Sequence, residues 1–371
     1  MKKYLNYTLA ERRFREKSVI LDSYPYHAFI DPSTVCNLGC PFCAINRFDS
    51  DHPKYLMKFD EFKHIMDLVG KYLFQVEIYQ YGEPLINPDI FKMIEYAKKQ
   101  YHTYTRISTN ATILGKDNAE KLVASGLDYL TLSIDGASQE TYSKYRVGGD
   151  FNKVLENVNL IIKAKKARNS KSPLLVWQFL LFKHNEHEVE KARSIASKMG
   201  VDIFSVMPAY VPPEAKDWIP SKDAIERYGL KCHPPYDREY STVSSTCANE
   251  RSQKHHLSIC KWLWTHLIVT SNGAAAPCCR IRARDPVFGN ILQAKDFFDI
   301  WNSEGFRAAR RFFITGEKQT PETFCENCPI EDRSIVPLTL GMWDTWKLRN
   351  ASRLYNVYKD LLRLLKDVQA K

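Results

Sequence analysis

Cysteines are the residues of this chain whose spacing could do chemistry. There are ten. Cys36, Cys40 and Cys43 form a C-x3-C-x2-C group. Three thiolates this close can hold three corners of one metal cluster and leave a fourth metal open to a small molecule, and thiolate sulfur is the usual ligand of iron–sulfur clusters. Structural zinc competes, but it asks for a fourth ligand, and His52 is the only near candidate. A second set lies downstream, with Cys260, Gly273 and Cys278 followed by Cys325-x2-Cys328. Two widely spaced and two paired thiols suit one closed site. On spacing alone a cluster and a four-cysteine zinc are equal readings, because C-x2-C is also a common zinc hook. The N-terminus reaches Glu11, Arg12 and Arg13 without an apolar core. It therefore lacks a secretory signal, and a disulfide framework is set aside in favour of metal or redox chemistry.

The elements that must position these residues alternate. Strand-like runs fall at His27–Ile30, Val76–Tyr79, Thr105–Ser108, Tyr129–Ile134, Leu174–Phe182 and Ile203–Met207. Helical patterns fall at Lys58–Tyr72, Pro88–Tyr101, Asn118–Ser125, Gln139–Tyr145, Phe151–Ala167 and Glu186–Met199. Six strand–helix repeats predict an α/β fold with a parallel sheet. In barrels of such repeats the chemistry sits at the C-terminal ends of the strands, and Glu83, Asn110 and Asp135 each fall just past one. Trp264–Ala276 reads as a hairpin turning at Ser271-Asn272-Gly273, and Leu338–Lys371 as a helix. In that helix an apolar stripe (Leu354, Val357, Leu361, Leu364, Leu365) opposes Lys359, Arg363 and Lys366. Packing on the barrel or a dimer contact is favoured for it over a membrane surface.

The cysteine loop and its followers resemble the radical S-adenosylmethionine (radical SAM) enzymes. Their pattern is C-x3-C-x2-C with an aromatic before the last cysteine, the place of Phe42. Tyr81-Gly82-Glu83-Pro84-Leu85, after an apolar run, resembles the family's "GGEP" loop, with Tyr in place of the first Gly. The resemblance implies that Gly82, Glu83 and Pro84 hold the SAM amino group. It places Ser108 and Asn110 near the ribose and methionine groups, and Ser133, Asp135 and Arg146 at the SAM site, with Ser133 and Arg146 on the carboxylate. An arginine fork suits a carboxylate. This likeness runs from Tyr26 to Pro208 and implies a partial (β/α)6 TIM-like barrel. Pro277-Cys278-Cys279-Arg280, Gly289-Asn290-Ile291 and Asp299-Ile300-Trp301-Asn302 resemble the auxiliary-cluster domain called SPASM/twitch. No cysteine follows Cys328, which points to the shortened twitch form with one auxiliary [4Fe–4S] cluster on Cys260, Cys278, Cys325 and Cys328. The organisation expected is an extension (1–25), the barrel (26–208), an irregular linker or substrate lid (209–258), the auxiliary domain (259–335) and a C-terminal helical segment (336–371).

Composition bounds the rest. The 371 residues are 44% hydrophobic and 26% charged, an ordinary balance for a folded chain. The longest apolar run, Leu174–Phe182, is far short of the roughly 20 residues that span a bilayer. A cytoplasmic, non-membrane protein is expected. Net charge is +10. A basic surface spread over many helices explains it better than an anionic partner does, and the basic clusters lack the interleaved aromatics of a nucleic-acid platform. The resemblance implies two [4Fe–4S] clusters, SAM, and an electron donor such as flavodoxin or ferredoxin. It also implies a 5′-deoxyadenosyl radical that takes a hydrogen atom from the substrate. The favoured outcome is oxidation of a small polar molecule, such as a sugar or aminocyclitol. Epimerisation or crosslinking of a ribosomal peptide is the alternative, weakened because about 25 residues before the first strand are too few for a leader-binding domain. A non-catalytic cluster or zinc scaffold is the remote reading. Cys232, Cys247 and Cys279 are either inert packed thiols or donors of a hydrogen atom to a substrate radical.

Overall fold

A computed structural model describes residues 1–47, 54–230, 259–278 and 287–327. Helix α1 (Lys2–Arg15) precedes strand β1 (His27–Ile30), and the short α2 (Ala44–Arg47) ends the cysteine loop. Helix α3 (Phe59–Val69) leads into β2 (Gln75–Glu77), and α4 (Ile90–Tyr101) into β3 (Tyr104–Thr109). Helix α5 (Gly115–Ala124) leads into β4 (Tyr129–Ser133), α6 (Gln139–Tyr145) and α7 (Phe151–Ala167) into β5 (Leu174–Leu181), and α8 (Val189–Met199) into β6 (Ile203–Pro208). The expected irregular stretch begins with a 3-10 turn, Pro213–Trp218, and α9 (Lys222–Arg227). The rest of that presumed lid lies outside the described residues, as does the C-terminal helical segment. Then come α10 (Trp262–Thr265), β7 (His266–Val269), β8 (Ala275–Ala276), α11 (Phe297–Trp301) and α12 (Glu304–Thr315).

Among the described residues one sheet runs in the order β6-β5-β4-β3-β2-β1-β7-β8. All neighbours are parallel except β7 with β8. This is the expected partial barrel, open rather than closed, since β6 and β8 are the two ends of the order. The hairpin expected at Trp264–Ala276 differs in two ways. Its first residues are helical, in α10, and its first strand also pairs in parallel with β1, from His27↔His266 to Ile30↔Val269. All four residues of β7 are buried, which a wall strand covered on both faces requires and a free-standing hairpin does not.

The helices form for local reasons. In α3 the Glu61 carboxylate accepts from Lys58 N at 2.7 Å, while Phe62, Ile65, Met66 and Val69 line one buried face. Asp150 caps α7 by accepting from Lys153 N at 3.0 Å. Strand alternation then sorts the sheet. Ala28, Ile30, Val76, Ile78, Ile107, Leu130, Leu132, Leu175 and Trp177 join the main apolar core. Each fully buried aliphatic there contributes about 1.5–3 kcal/mol. The intervening positions are mixed, apolar at Phe29, Leu174 and Val176 and polar at a cluster centred on β2. Gln75, Glu77, Arg106 and His27 meet around one carboxylate oxygen: Glu77 Oε1 lies 2.5 Å from Gln75 Nε2, 3.2 Å from Arg106 and 3.4 Å from His27. The inner face of the curved sheet therefore carries a buried polar network around Glu77 beside an apolar patch at Phe29 and Ile268.

Candidate functional site

The segment between β1 and Cys36 is stitched to the loop after β2. Gly82 N donates to Ser33 O and Glu83 N to Val35 O, each at 2.8 Å. A Cβ on Gly82 would stand 2.3 Å from Ser33 O and 2.5 Å from Val35 O, so only glycine allows the approach. The cysteine loop turns at Cys43 N→Cys40 O, 3.2 Å, and Asn46 holds Cys40 O at 3.1 Å. Its far side is tied by Gly39 N→Val147 O at 2.9 Å. Leu38, Cys40, Tyr145 and Phe182 form an apolar cluster, with Cys36 and Cys43 packed against it. Phe42 faces Trp218 with ring centroids 4.9 Å apart. The aromatic before the last cysteine thus anchors the loop.

Two side chains present N–H groups to the thiols. Asn110 Nδ2 lies 3.8 Å from Cys36 Sγ, and Arg146 lies 3.8 Å from Cys40 Sγ. Burial raises both thiols, Cys40 to about 11. Coordination to a metal deprotonates such a thiol outright. Among the described residues no three Cys, His, Asp or Glu side chains converge on a single ion. A four-iron cube does not ask for convergence, since each thiolate binds its own iron. Three clustered thiols, two of which receive N–H donors from other elements, therefore suit an iron–sulfur cluster.

The remaining expected residues ring this loop. Glu83 is 2% exposed. Its Oε1 accepts from Thr109 Oγ1 at 2.7 Å and Leu85 N at 3.1 Å, and its Oε2 from Asn110 N at 2.7 Å. The protein thus takes three of the roughly four acceptor positions of that carboxylate. Pro84 opens the 3-10 turn that follows. Ser108 and Ser133 join across the sheet at 3.2 Å. Asp135 is fully buried, and its oxygens accept from Arg146 Nε at 2.6 Å and Leu180 N at 2.7 Å. Arg146 thus bridges Asp135 and Cys40, with a side chain 13% exposed. Burial pushes the Glu83 and Asp135 carboxyls up, against the pull of the donors around them.

Sequence reasoning missed several neighbours. Asn37 Oδ1 accepts from Asn110 at 3.0 Å, and Asn185 Nδ2 donates to Asp135 O at 3.0 Å. The polar inner wall was missed too, including Ser133↔Gln178↔Ser205 in one register across β4, β5 and β6. A period-two pattern of polar residues inside apolar runs was its signal, as in Gln75-x-Glu77 and Arg106-x-Ser108-x-Asn110.

The auxiliary cysteines come from separate segments. Cys260 and Cys278 pack against Phe29, Trp262, Ile268 and Ala276. Cys325, in the 3-10 turn Phe324–Asn327, is buried in the main core. Cys328, Cys279, Cys232 and Cys247 lie outside the described residues.

Comparison with known proteins agrees with this geometry. The model of the radical SAM superfamily matches residues 30–214, and that of the SPASM iron–sulfur cluster-binding domain matches residues 260–329. The chain belongs to the radical SAM superfamily and carries a C-terminal SPASM domain. It is a radical SAM enzyme whose cofactors are [4Fe–4S] clusters and SAM. It is similar to the AdoMet-dependent heme synthase of Methanosarcina barkeri, 27% identical over 298 residues, covering 74% of this chain and 82% of that one. A probable GTP 3′,8-cyclase of Methanococcus maripaludis is 27% identical over 196 residues, 52% of this chain and 63% of the cyclase. The crystal structure of Streptococcus suis SuiB bound to S-adenosylmethionine shares the fold, with a TM-score of 0.59 at 17% identity over 87% of this chain and 74% of SuiB. No helix among the described residues is long and apolar enough to cross a membrane.

Proposed function

We propose that this enzyme oxidises a small polar substrate by two electrons. In this reading Cys36, Cys40 and Cys43 hold the SAM cluster, and Arg146, Glu83, Ser133 and Asn110 position SAM beside it. Bound there, the cluster and SAM supply a 5′-deoxyadenosyl radical, which leaves as 5′-deoxyadenosine with a substrate hydrogen atom. Cys260, Cys278, Cys325 and Cys328 would hold an auxiliary cluster that could accept the substrate's second electron, its proton going to solvent. Flavodoxin or ferredoxin supplies the reducing electron. One observation carries the reading. β7 is hydrogen-bonded to β1 as part of the barrel wall, and Cys260 and Cys278 pack on Phe29 of that same β1. An auxiliary cluster built into the wall beside the chamber suits an electron acceptor better than a detached staple.

The polar residues of the wall, Ser133, Gln178 and Ser205 in one register, support a polar substrate, and the named relatives, a heme synthase and a GTP cyclase, support a small molecule over a peptide. They also widen the class beyond sugars and aminocyclitols. The test starts with a panel of polyols, aminocyclitols, nucleotides, tetrapyrroles and short peptides, scored by substrate-dependent 5′-deoxyadenosine. The active compound is then turned over in D2O. Product two mass units lighter, without deuterium at carbon, supports oxidation. Solvent deuterium at a substrate carbon, lost on replacing Cys232, Cys247 or Cys279 by Ala, overturns it in favour of hydrogen return from a thiol.

A further inference from the structure

A cavity of about 1160 Å³ lies where the strands begin. Phe74 stands just before β2, Tyr104 opens β3, Asp128 stands just before β4 and Leu174 opens β5, and all four line it. Glu83, Asn110 and Asp135 follow the other ends of β2, β3 and β4, so this cavity is at the end of the barrel away from them. Its volume is on the scale of small-molecule sites, which run to roughly 1,000 Å³.

Its charge is one-sided. Lys3, Lys98, Lys165, Lys166 and Lys171 line it against two aspartates. Both aspartates are already occupied. Asp128 accepts from Lys98 Nζ at 2.7 and 2.9 Å and from Thr105 N at 2.8 Å. Asp202 accepts from Lys165 Nζ at 2.8 Å and from Leu175 N at 2.7 Å. Lys3, Lys166 and Lys171 pair with no carboxylate among the described residues. Lysines in the last turns of α4 and α7 are ordinary, because they face the negative ends of those helices. Lys3 has no such reason. It sits in the first turn of α1, the positive end, and no acidic residue shares that turn. Its ammonium donates to His102 O at 3.2 Å, and burial and then the charge of Lys98 lower its pKa to about 8. Lys171 lies past α7, in the loop before β5. The rest of the wall includes Ile162 and two rings, Tyr4 and Phe74, edge to face with centroids 5.1 Å apart. A cleft with cations in excess and apolar walls focuses its field on an entering anion.

We propose that this cavity binds a phosphorylated small molecule with an apolar or aromatic body, a nucleotide in kind. The phosphates meet Lys3, Lys166 and Lys171, and the body lies against Tyr4, Phe74 and Ile162. The site is independent of the proposed oxidation and stands at the opposite end of the strands from the cysteine loop.

The test is calorimetric titration of the anaerobically reconstituted full chain with ATP at low salt, without reductant and with SAM at saturation so that the SAM site is filled. Saturable binding is expected. Lys166→Glu/Lys171→Glu should weaken it roughly tenfold or more, since each lost ammonium removes a charge-assisted contact. Lys116→Glu/Lys121→Glu, on exposed positions of α5 outside the cavity, makes the same change of net charge and should keep the parent's affinity. Equal weakening by the two double variants would overturn the proposal, because a diffuse basic surface would then be the cause. So would the lack of saturable binding. Inorganic triphosphate that binds as tightly as ATP would overturn the apolar body. Lysine acetylation read by peptide mass spectrometry decides the matter on the parent even if a glutamate variant fails to fold. ATP should protect Lys3, Lys166 and Lys171 and leave Lys116 and Lys121 unprotected, and unchanged acetylation of the first three would overturn the site.

Discussion

The two thiol regions are built on opposite plans. Cys36, Cys40 and Cys43 lie on one loop, and polar side chains from elsewhere reach in to them: Asn110 from the end of β3, and Arg146 from the end of α6. Cys260, Cys278 and Cys325 come from three segments and pack among Phe29, Trp262, Ile268 and the main core. The first plan keeps polar groups at the thiols, where the proposed function puts SAM. The second shields its site and makes the fold itself the ligand frame. Under the proposed ligand sets, one metal chemistry would be served locally where exchange is needed, and globally where only electrons or stability are.

That contrast can be broken first at its root. Replacing Cys36, Cys40 and Cys43 together by Ala should abolish reductive SAM cleavage and leave one cluster of roughly four irons, measured by 5′-deoxyadenosine release and iron and sulfide analysis. The opposite change, Cys325→Ala, should keep SAM cleavage, lower iron by about one cluster and lower the unfolding midpoint, because the site ties chain segments together. If SAM cleavage were lost equally in both, the two sites would not be separable and the contrast would fall.

Smaller effects sharpen it. Glu77→Gln, on β2, should cost about 3–5 kcal/mol in denaturant unfolding, since it leaves Arg106 buried without its partner. Burial pushes the Glu77 carboxyl up, but Arg106 and then His27 draw it down to about 2. Its folded value is therefore depressed. The stability it supplies is complete above the unfolded carboxylate range, near pH 4.5, and is lost as pH falls toward 2. A variant whose acid unfolding matches the parent's would show that the network is not load-sharing. Arg146→Ala should weaken SAM binding by about 1.5–3 kcal/mol, read by equilibrium binding to the reconstituted protein. Glu83→Gln should weaken it less, because three protein donors already occupy that carboxylate. The least change is expected from Asn110→Leu, a modest fall in SAM-cluster potential on losing an N–H···S contact, with the auxiliary potential unmoved.

What the sequence disclosed follows the same divide. The Cys36 loop could be read directly because its spacing is local. The strands could be read because runs such as Tyr129–Leu132 and Leu174–Leu181 are apolar. The parallel pairing of β7 with β1 could not, since nothing near His266 names a partner more than two hundred residues earlier. Helix α1 was invisible for a different reason. It docks through polar contacts, Asn6 with Tyr24 at 2.8 and 2.9 Å and Glu11 with Tyr26 at 2.9 Å, and through rings scattered among charges in the sequence, Tyr4 and Tyr7 on Phe74 and Phe14 on Trp264. The resemblance marks Arg146 as a candidate SAM contact, but its bridge from Asp135 to Cys40 needs α6 folded back over the loop.

Helix α1 also has a consequence for how the chain is made. Glu11 bonds Lys261, and Trp264 Nε1 reaches Ser18 O, partners separated by 250 and 246 positions. During synthesis the ribosome delivers α1 and β1 long before α10 and β7 exist. Until then one side of β1 has no strand beside it, and an open strand edge invites pairing with other chains. A nascent chain halted before residue 259 should therefore be prone to aggregation. Solubility of the 1–230 fragment against the full chain reads this directly, and equal solubility would show that the early barrel protects its own edge.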